Sequence, residues 1–224
     1  MDEALAALES DAAVTVTKVP VFPWLRPLHV FQPAGGAPTK GFIFYPGGFV
    51  DPRGYAPAMR RIAEAGFLAA VVPMPFDMAV FGSARASRVM AKFPAVHTWA
   101  IGGHSLGGVF ACKFAGSEAG SGLSGIVLWA SYPSGTYSLA GSPLKALSIY
   151  GTSDGLTTLD EIESSHQDLP SDALFVGIQG GNHTQFGYYG DGQELQTGDN
   201  PASISRDEQA GQIVDATVNF LNTL

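Results

Sequence analysis

One serine in this chain lies in a setting that could activate it as a nucleophile. It is Ser105, in the pentapeptide 103–107 (Gly-His-Ser-Leu-Gly), which directly follows the apolar run 99–101. A serine held on a sharp strand-to-helix turn needs glycines two residues away on either side, because that turn leaves almost no room for side chains. The spacing therefore predicts a nucleophile elbow in which Ser105 attacks a carbonyl carbon. A chain with 28 glycines can contain such a pentapeptide by chance, so the rest of the sequence must decide.

The hydroxyl of a serine is a poor nucleophile near neutral pH, so Ser105 needs a general base, and that base needs an acidic partner. In elbow sites of this kind the partners follow the serine in the order carboxylate, then histidine. That order leaves His166 and His183 as candidates for the base. His183 comes directly after a predicted strand over 174–178, whereas His166 lies in or just beyond a predicted helix over 156–165. We predict that His183 is the base.

The acidic partner is predicted by the same rule, that residues with chemical roles follow strands. Asp154 comes a few residues after a predicted strand that ends at Tyr150, whereas Asp160, Asp168 and Asp172 do not follow strands. The alternative for Asp154 is an Asx-type turn, in which the carboxylate only bonds its own backbone. A serine, a carboxylate and a histidine in the required order, each past a separate strand, favour the catalytic interpretation.

Acyl transfer also requires N–H donors that point at the oxyanion of the intermediate. One donor is expected to be the backbone N–H of Leu106, the residue after the nucleophile. The second is expected from the turn after the strand 41–45, where paired glycines allow close approach of the backbone. Gly48 is the first choice, Gly47 and Phe49 are the alternatives, and a purely structural turn is the other interpretation.

The elements that must position these residues alternate between strand and helix. Residues 13–32 predict two short antiparallel strands around a proline-rich centre, and the remaining pattern predicts a mostly parallel twisted sheet with helices on both faces. In such sheets, ligands bind at the carboxyl ends of the strands. The predicted strands are 41–45, 67–72, 99–102, 125–130, 145–150 and 173–178, and the predicted helices are 56–65, 84–92, 106–115, 156–165 and 206–221. The segment 184–205 is polar, glycine-rich and aromatic, and loops of that length are commonly functional or mobile.

Composition narrows the class of protein. With 224 residues, 46% of them hydrophobic, we expect one domain over 1–224, with an N-terminal edge hairpin within residues 1–40. A formal charge of −8 and only 12 scattered Lys and Arg argue against nucleic acid. The acidic N-terminus and the absence of a long apolar run predict a cytoplasmic protein without a membrane partner. Cys112 is expected to be a small buried residue, and the sequence contains no H-E-x-x-H motif, no Cys/His cluster and no G-x-x-x-x-G-K-(S/T) motif.

These motifs together resemble the α/β-hydrolase superfamily from about residue 40 to the C-terminus. The strings at 45–57, 102–108 and 180–190 more narrowly resemble its small capless branch, similar to dienelactone hydrolases and related single-domain esterases. The resemblance implies a Ser105–His183–Asp154 triad, a covalent acyl-enzyme and no cofactor. The sequence departs from the pattern twice: the usual His-Gly of the oxyanion turn is replaced by 45–47 (Tyr-Pro-Gly), and Ser105 stands where dienelactone hydrolases carry a cysteine.

The expected site is open, because only residues 131–144 separate two strands where related proteins insert a cap. Aromatic and methionine side chains in loops near strand ends are expected to include residues of an apolar acyl or alcohol pocket. Those chosen as substrate-binding are Phe49, Met74, Tyr132 and Phe186, from a group that also contains Phe76, Phe81, Tyr137, Tyr188 and Tyr189.

The function expected from these features is a carboxylesterase-like serine hydrolase that acts on small or medium carboxylic esters or thioesters, as a monomer or homodimer. The same fold and triad also serve lyases, perhydrolases and acyltransferases, which are alternatives within the superfamily. A small-molecule receptor that retains the triad but has negligible turnover is an alternative from another class of protein.

Overall fold

The computed structural model describes residues 1–20, 26–189 and 195–224. Within these residues, eight strands form one sheet, accompanied by six α-helices. The strands are β1 (Val14–Val19), β2 (Leu28–Pro33), β3 (Lys40–Tyr45), β4 (Leu68–Val71), β5 (Thr98–His104), β6 (Leu123–Trp129), β7 (Lys145–Gly151) and β8 (Leu174–Ile178). The helices are α1 (Asp2–Ala6), α2 (Ala56–Glu64), α3 (Ala86–Lys92), α4 (Leu106–Ala115), α5 (Leu159–Ser164) and α6 (Arg206–Asn222).

The strand order across the sheet is β1-β2-β4-β3-β5-β6-β7-β8. β2 pairs antiparallel with both β1 and β4, and every other pair, from β4 through β8, is parallel. This confirms the predicted mostly parallel sheet. Because the parallel strands run in the same direction, the loops after β3, β5, β7 and β8 meet along one edge of the sheet.

Different helices cover the two faces of the sheet. Successive side chains of a strand point to opposite faces, so neighbouring residues of β3 belong to different cores. Phe44 lies in the core that contains Met59 of α2 and Phe220 of α6. Ile43 lies in the core that contains Phe110 of α4. The central strands are buried on both sides, which explains why their sequences are continuous apolar runs.

The predicted N-terminal hairpin is present as the antiparallel pair β1 and β2, in which Val14 lies opposite Pro33. The centre of that prediction, around Pro23, lies outside the described residues, as do residues 190–194 of the long segment 184–205.

One predicted helix is shorter than expected. The helix predicted over 156–165 begins at Leu159, because Thr158 caps it in a reciprocal arrangement with Glu161. The Thr158 hydroxyl accepts a hydrogen bond from the backbone N–H of Glu161, whose carboxylate accepts from the N–H of Thr158. The N-terminal helix α1 was not predicted at all.

Residues 131–144 join β6 to β7 and contain a single 3₁₀ turn, Gly135–Tyr137, with no α-helix. This confirms that no cap domain is inserted between these strands. None of the helices in the described part of the chain is both long and apolar enough to cross a membrane.

Candidate active site

Ser105 occupies the sharp turn between β5 and α4. Its backbone has φ +52° and ψ −126°, a conformation that is rare and strained for any residue other than glycine. The N–H of Ser105 donates to the carbonyl of Trp129 at 3.0 Å, and its carbonyl accepts from the Ser131 hydroxyl at 2.7 Å. Both contacts are to the end of β6 or just beyond it. The sheet therefore holds the strained turn in place and leaves the Ser105 side chain partly exposed.

The two glycines of the pentapeptide are required by close backbone packing. A Cβ atom at Gly103 would collide with the backbone of Gly107. A Cβ atom at Gly107 would collide with the carbonyl oxygens of Tyr45 and Pro46, in the turn after β3. The glycine spacing thus brings the elbow into direct contact with the loop after β3.

Asp154 and His183 form a buried pair in the loops after β7 and β8. His183 Nδ1 lies 2.9 Å from Asp154 Oδ2, and both side chains are inaccessible to solvent. The other oxygen of Asp154 accepts from the backbone N–H groups of Leu156 at 2.8 Å and Thr157 at 2.7 Å. Asp154 therefore makes the Asx-type turn considered as an alternative and also contacts the imidazole.

The second nitrogen of His183 is available for chemistry. Because an ionised carboxylate can only accept, Nδ1 donates to Asp154, which leaves a lone pair on Nε2. Nε2 is buried and has no hydrogen-bond partner among the residues that the structure describes. The His183 ring lies 4.5 Å, centroid to centroid, from the ring of His104, the residue before Ser105. The imidazole of His183 therefore packs against a residue of the elbow.

Two backbone N–H groups beside the elbow are unpaired within the described part of the chain. In the loop after β3, Gly47 N–H donates to Tyr55 Oη at 3.0 Å, and Phe49 N–H donates to Asp77 O at 2.9 Å. Gly48 N–H makes no such bond. Nor does the N–H of Leu106, and a Cβ on Gly48 would lie 3.1 Å from Leu106 Cδ2. Of the three candidates in the loop, Gly48 is the one whose donor is free.

His104 is held in a neutral state. Tyr55 Oη accepts from Gly47 N–H and shares a hydrogen bond of 2.9 Å with His104 Nδ1, while the ring of Phe186 stacks on the imidazole. Burial lowers the pKa of His104 well below its usual value, and the neighbouring His183 lowers it further. The sequence gives no local signal for Tyr55, because its part in the site depends on a contact between side chains distant in sequence.

Acid is expected to destabilise the folded chain partly through His104. Below about pH 6.5 the unfolded chain binds a proton at this residue that the folded chain excludes. The stabilising contribution is therefore complete above that pH and is lost as the pH falls. From about pH 7.5 to about pH 5.5, the free energy of unfolding should fall by about 1.4 kcal/mol more in the wild type than in His104→Gln.

Urea unfolding at the two pH values measures this difference. The exposed His97 gives a control variant, His97→Gln, which should keep the wild-type pH dependence. Burial also lowers the pKa of His29, but this residue is present in all three proteins and so does not affect the comparison. Identical pH dependence in wild type and His104→Gln would contradict the prediction.

The residues predicted to bind substrate fall into two groups. Phe49 lines a cavity of about 410 Å³ together with Gly48, and Tyr132 lines a second cavity of about 460 Å³. Met74 and Phe186 are only 3% and 2% exposed, because each is packed into one of the two cores of the sheet. Their burial argues against a substrate-binding role.

The remaining predicted residues are placed as follows. His166 is exposed and packs on Phe175, away from the His183 loop. Cys112 is buried as predicted, and burial raises the pKa of its thiol. Tyr45, at the departure from the family pattern, accepts from Ala86 N–H at 2.9 Å and donates to Ser83 O at 2.7 Å. In the described ranges, no three His, Cys, Asp or Glu side chains are grouped to hold a metal ion.

Comparison with known proteins agrees with this architecture. Residues 41–211 match the model of the alpha/beta hydrolase family, and the chain belongs to that family. No curated protein matches the sequence. The fold is similar to that of a proposed dienelactone hydrolase from Klebsiella pneumoniae, with a TM-score of 0.67, 15% identity, and coverage of 95% of this chain and 100% of the other.

Two further solved structures show the same fold at similarly low identity. One is a thermophilic esterase from Thermogutta terrifontis, with a TM-score of 0.63, 15% identity, and coverage of 95% of this chain and 94% of the other. The other, from Thermoplasma acidophilum, is described as a predicted CIB-like hydrolase, with a TM-score of 0.66, 16% identity, and coverage of 95% and 99%. These similarities confirm the predicted capless fold, and the family itself is shown by the match over residues 41–211.

Proposed function

We propose that this chain is a serine hydrolase that cleaves carboxylic esters or thioesters through an acyl-enzyme intermediate. Ser105 is the proposed nucleophile, His183 the general base and Asp154 the group that orients the imidazole. The observation that carries the proposal is the state of the His183 ring. Its Nδ1 is held by Asp154 at 2.9 Å, while its buried Nε2 lacks a hydrogen-bond partner in the described part of the chain. The ring itself lies 4.5 Å, centroid to centroid, from that of His104, the residue before Ser105.

In the proposed reaction, Ser105 Oγ bonds to the carbonyl carbon as its proton moves to His183 Nε2. The carbonyl oxygen becomes an oxyanion, which accepts hydrogen bonds from the N–H groups of Gly48 and Leu106. Each such donor is typically worth about 3 kcal/mol of transition-state stabilisation. The bond from the carbonyl carbon to the leaving alcohol or thiol then breaks as His183 gives that group its proton. Water attacks the resulting acyl-enzyme as its proton moves to His183, and the bond to Ser105 Oγ breaks as His183 returns the proton to Ser105, which releases the carboxylic acid.

The surface beside the proposed oxyanion donor is apolar and supports a substrate with a hydrocarbon acyl group. Phe49 and Phe76 are each 80% exposed, and Phe81 is 61% exposed. Phe49 and Phe76 both have positive φ, of 59° and 54°, so the backbone is strained at the points that expose these rings. The N–H of Phe49 donates to the carbonyl of Asp77, next to Phe76, and the rings of Phe76 and Phe81 pack edge to face at 5.7 Å.

These three phenylalanines form what we call the aromatic rim. Exposed clusters of this kind are uncommon in proteins unless they bind something apolar. Since the aromatic rim begins at the residue after Gly48, the acyl chain of a bound substrate can extend from the proposed oxyanion site across the rim. The Thermogutta terrifontis esterase, similar in fold, has also been solved with propionate, a short carboxylate, bound.

Removal of a rim side chain should change chain-length preference more than intrinsic reactivity. For Phe49→Ala, we expect kcat/KM to fall about tenfold with p-nitrophenyl octanoate and to stay within about twofold with p-nitrophenyl acetate, because only the longer chain buries apolar area on the ring. A panel of p-nitrophenyl esters of graded chain length measures the effect. Leu174→Ala, at an exposed apolar residue where β8 begins, is the control.

Equal losses of activity along the whole series would contradict a rim that binds acyl chains. The same panel on the wild type tests the proposed function itself. Labelling by a fluorophosphonate without turnover of any ester would instead favour the receptor alternative, because it reports an activated serine without a productive cycle.

A further inference from the structure

A carboxylate outside the proposed triad joins the loops that carry its acid and its base. Asp199 Oδ1 accepts from the backbone N–H groups of Gly155 at 3.1 Å, His183 at 3.3 Å and Asn200 at 2.8 Å. Asp199 Oδ2 accepts from the N–H of Thr184 at 2.8 Å and from its hydroxyl at 2.7 Å. One side chain therefore receives five hydrogen bonds from three different segments.

Two of those segments are the ones that hold the buried pair. Gly155 is the residue after Asp154, and the bonds to His183 and Thr184 fix the backbone on which the imidazole is mounted. The loop after β7 and the segment around Asp199 are in close contact, since a Cβ on Gly155 would lie 2.6 Å from the carbonyl oxygen of Gly198.

The segment that carries Asp199 is itself anchored to the loop after β8. The side-chain amide of Asn182 donates to Asn200 O at 2.7 Å, so the residue after Asp199 is tied to the residue before His183. The buried side chain of Gln209, on α6, then bonds both backbone groups of Asn182, accepting from its N–H at 3.0 Å and donating to its carbonyl at 2.7 Å. Helix α6 thus anchors the loop after β8, to which the segment that carries Asp199 is tied.

We propose that Asp199 is a positioning residue for the hydrolytic reaction, which clamps the Asp154 loop to the His183 loop and so sets the geometry of their hydrogen bond. The inference rests on the proposed function, because it concerns the same base. Asp199 contacts the backbone of His183 and not its imidazole, so it acts through His183 and not on the substrate. Hydrogen bonds to an ionised acceptor are about twice as strong as neutral ones, which suits a clamp between two loops.

The clamp matters for rate because the base must meet the serine hydroxyl at hydrogen-bond distance. Displacement of a reacting group by about 1 Å can cost about 10²-fold in rate. In Asp199→Asn the side chain keeps its shape and one acceptor oxygen, but an NH₂ group then faces the N–H of Thr184 or the other donors. We expect kcat for p-nitrophenyl acetate to fall about 10- to 100-fold, with KM within about twofold of wild type.

A spectroscopic readout separates positioning from simple stabilisation of the loop. The Nδ1 proton of His183, hydrogen-bonded to Asp154, is expected to give a low-field proton NMR signal in the wild-type protein without substrate. In Asp199→Asn this signal should shift or broaden while the thermal unfolding curve still reports a folded protein. The exposed Asp172 provides the matched control, and Asp172→Asn should keep both the signal and kcat.

A milder change tests the same clamp through one of its donors. Thr184→Val removes the hydroxyl that bonds Asp199 Oδ2 and leaves the four backbone donors to Asp199 in place. It also removes the acceptor of the Gln196 N–H, within the segment that carries Asp199. We expect a loss of kcat smaller than in Asp199→Asn and a smaller change of the NMR signal. Should Asp199→Asn fail to fold, Thr184→Val decides: wild-type kcat together with an unchanged signal would then overturn the proposal.

The outcomes of these experiments are distinguishable. If Asp199→Asn unfolds at lower temperature but keeps kcat within twofold and an unchanged NMR signal, Asp199 only stabilises the loop and the positioning role is overturned. The proposed function survives that result provided that Ser105→Ala is inactive. If Ser105→Ala instead retains wild-type turnover, the proposed function fails, whatever the behaviour of Asp199.

Discussion

Replacement of Ser105 by alanine is expected to lower kcat/KM for p-nitrophenyl esters by about 10⁴-fold or more. The physical reason is that the variant lacks the oxygen that bonds to the carbonyl carbon, so the acyl-enzyme cannot form. Residual catalysis would come only from binding and from the N–H donors of Gly48 and Leu106. Initial rates of p-nitrophenol release, measured on wild type and variant at equal concentration, give the ratio.

The matched control for this substitution is Ser121→Ala, at an exposed serine on the surface after α4. It should retain wild-type rates. The Ser105→Ala chain should also remain folded, since alanine and serine are almost the same size and meet the same backbone strain at φ +52°. Release of p-nitrophenol at equal rates by wild type and Ser105→Ala would mean that another group performs the chemistry.

Replacement of His183 by alanine is the second large effect, also expected to be about 10⁴-fold in kcat. The variant loses the only group proposed to take the proton from Ser105 and return it to the leaving group. It also leaves the buried carboxylate of Asp154 with its two backbone donors but without the imidazole. Removal of one member of a buried pair is costly, so thermal unfolding must show that the variant is folded at the assay temperature.

His166→Ala is the matched control for the base, because His166 is the other histidine that the chain order allowed. It packs on Phe175 with a ring separation of 3.8 Å and is exposed. Its removal should leave kcat within about threefold, as is usual for surface changes away from a site. Full loss of activity in His166→Ala, with His183→Ala active, would show that His166 is the base and that its assignment to His183 is wrong.

The parts of the fold that could be predicted from the sequence are those with local signals. Continuous apolar runs identified the central strands, and the rule that functional residues follow parallel strands selected Asp154 and His183 from their competitors. That rule predicts that the loops after β7 and β8 meet, and Asp154 Oδ2 does lie 2.9 Å from His183 Nδ1. Boundaries were less accurate where a cap determines them, as at Thr158 before α5.

The parts that could not be predicted depend on contacts between residues distant in sequence. Tyr55 accepts from the N–H of Gly47, and the carbonyl of Asp77 accepts from the N–H of Phe49. These two distant contacts determine that the N–H of Gly48 is the one that stays free. Apolar residues near strand ends give no local signal of exposure, so Met74 was placed in a pocket although it belongs to the core. Asp199 had only one signal, its place in a long polar loop, and that does not single it out.

The most direct test of the central claim, that Ser105 is an activated nucleophile, is covalent labelling. Wild type, Ser105→Ala and His183→Ala are each treated with a fluorophosphonate. The mass of the intact chain then gives the number of adducts, and peptide mapping gives the residue that carries each one. We predict a single adduct on Ser105 in the wild type, no adduct in Ser105→Ala and greatly slowed labelling in His183→Ala. An adduct mapped to another residue, or a wild-type chain that is not labelled at all, would contradict the proposed nucleophile.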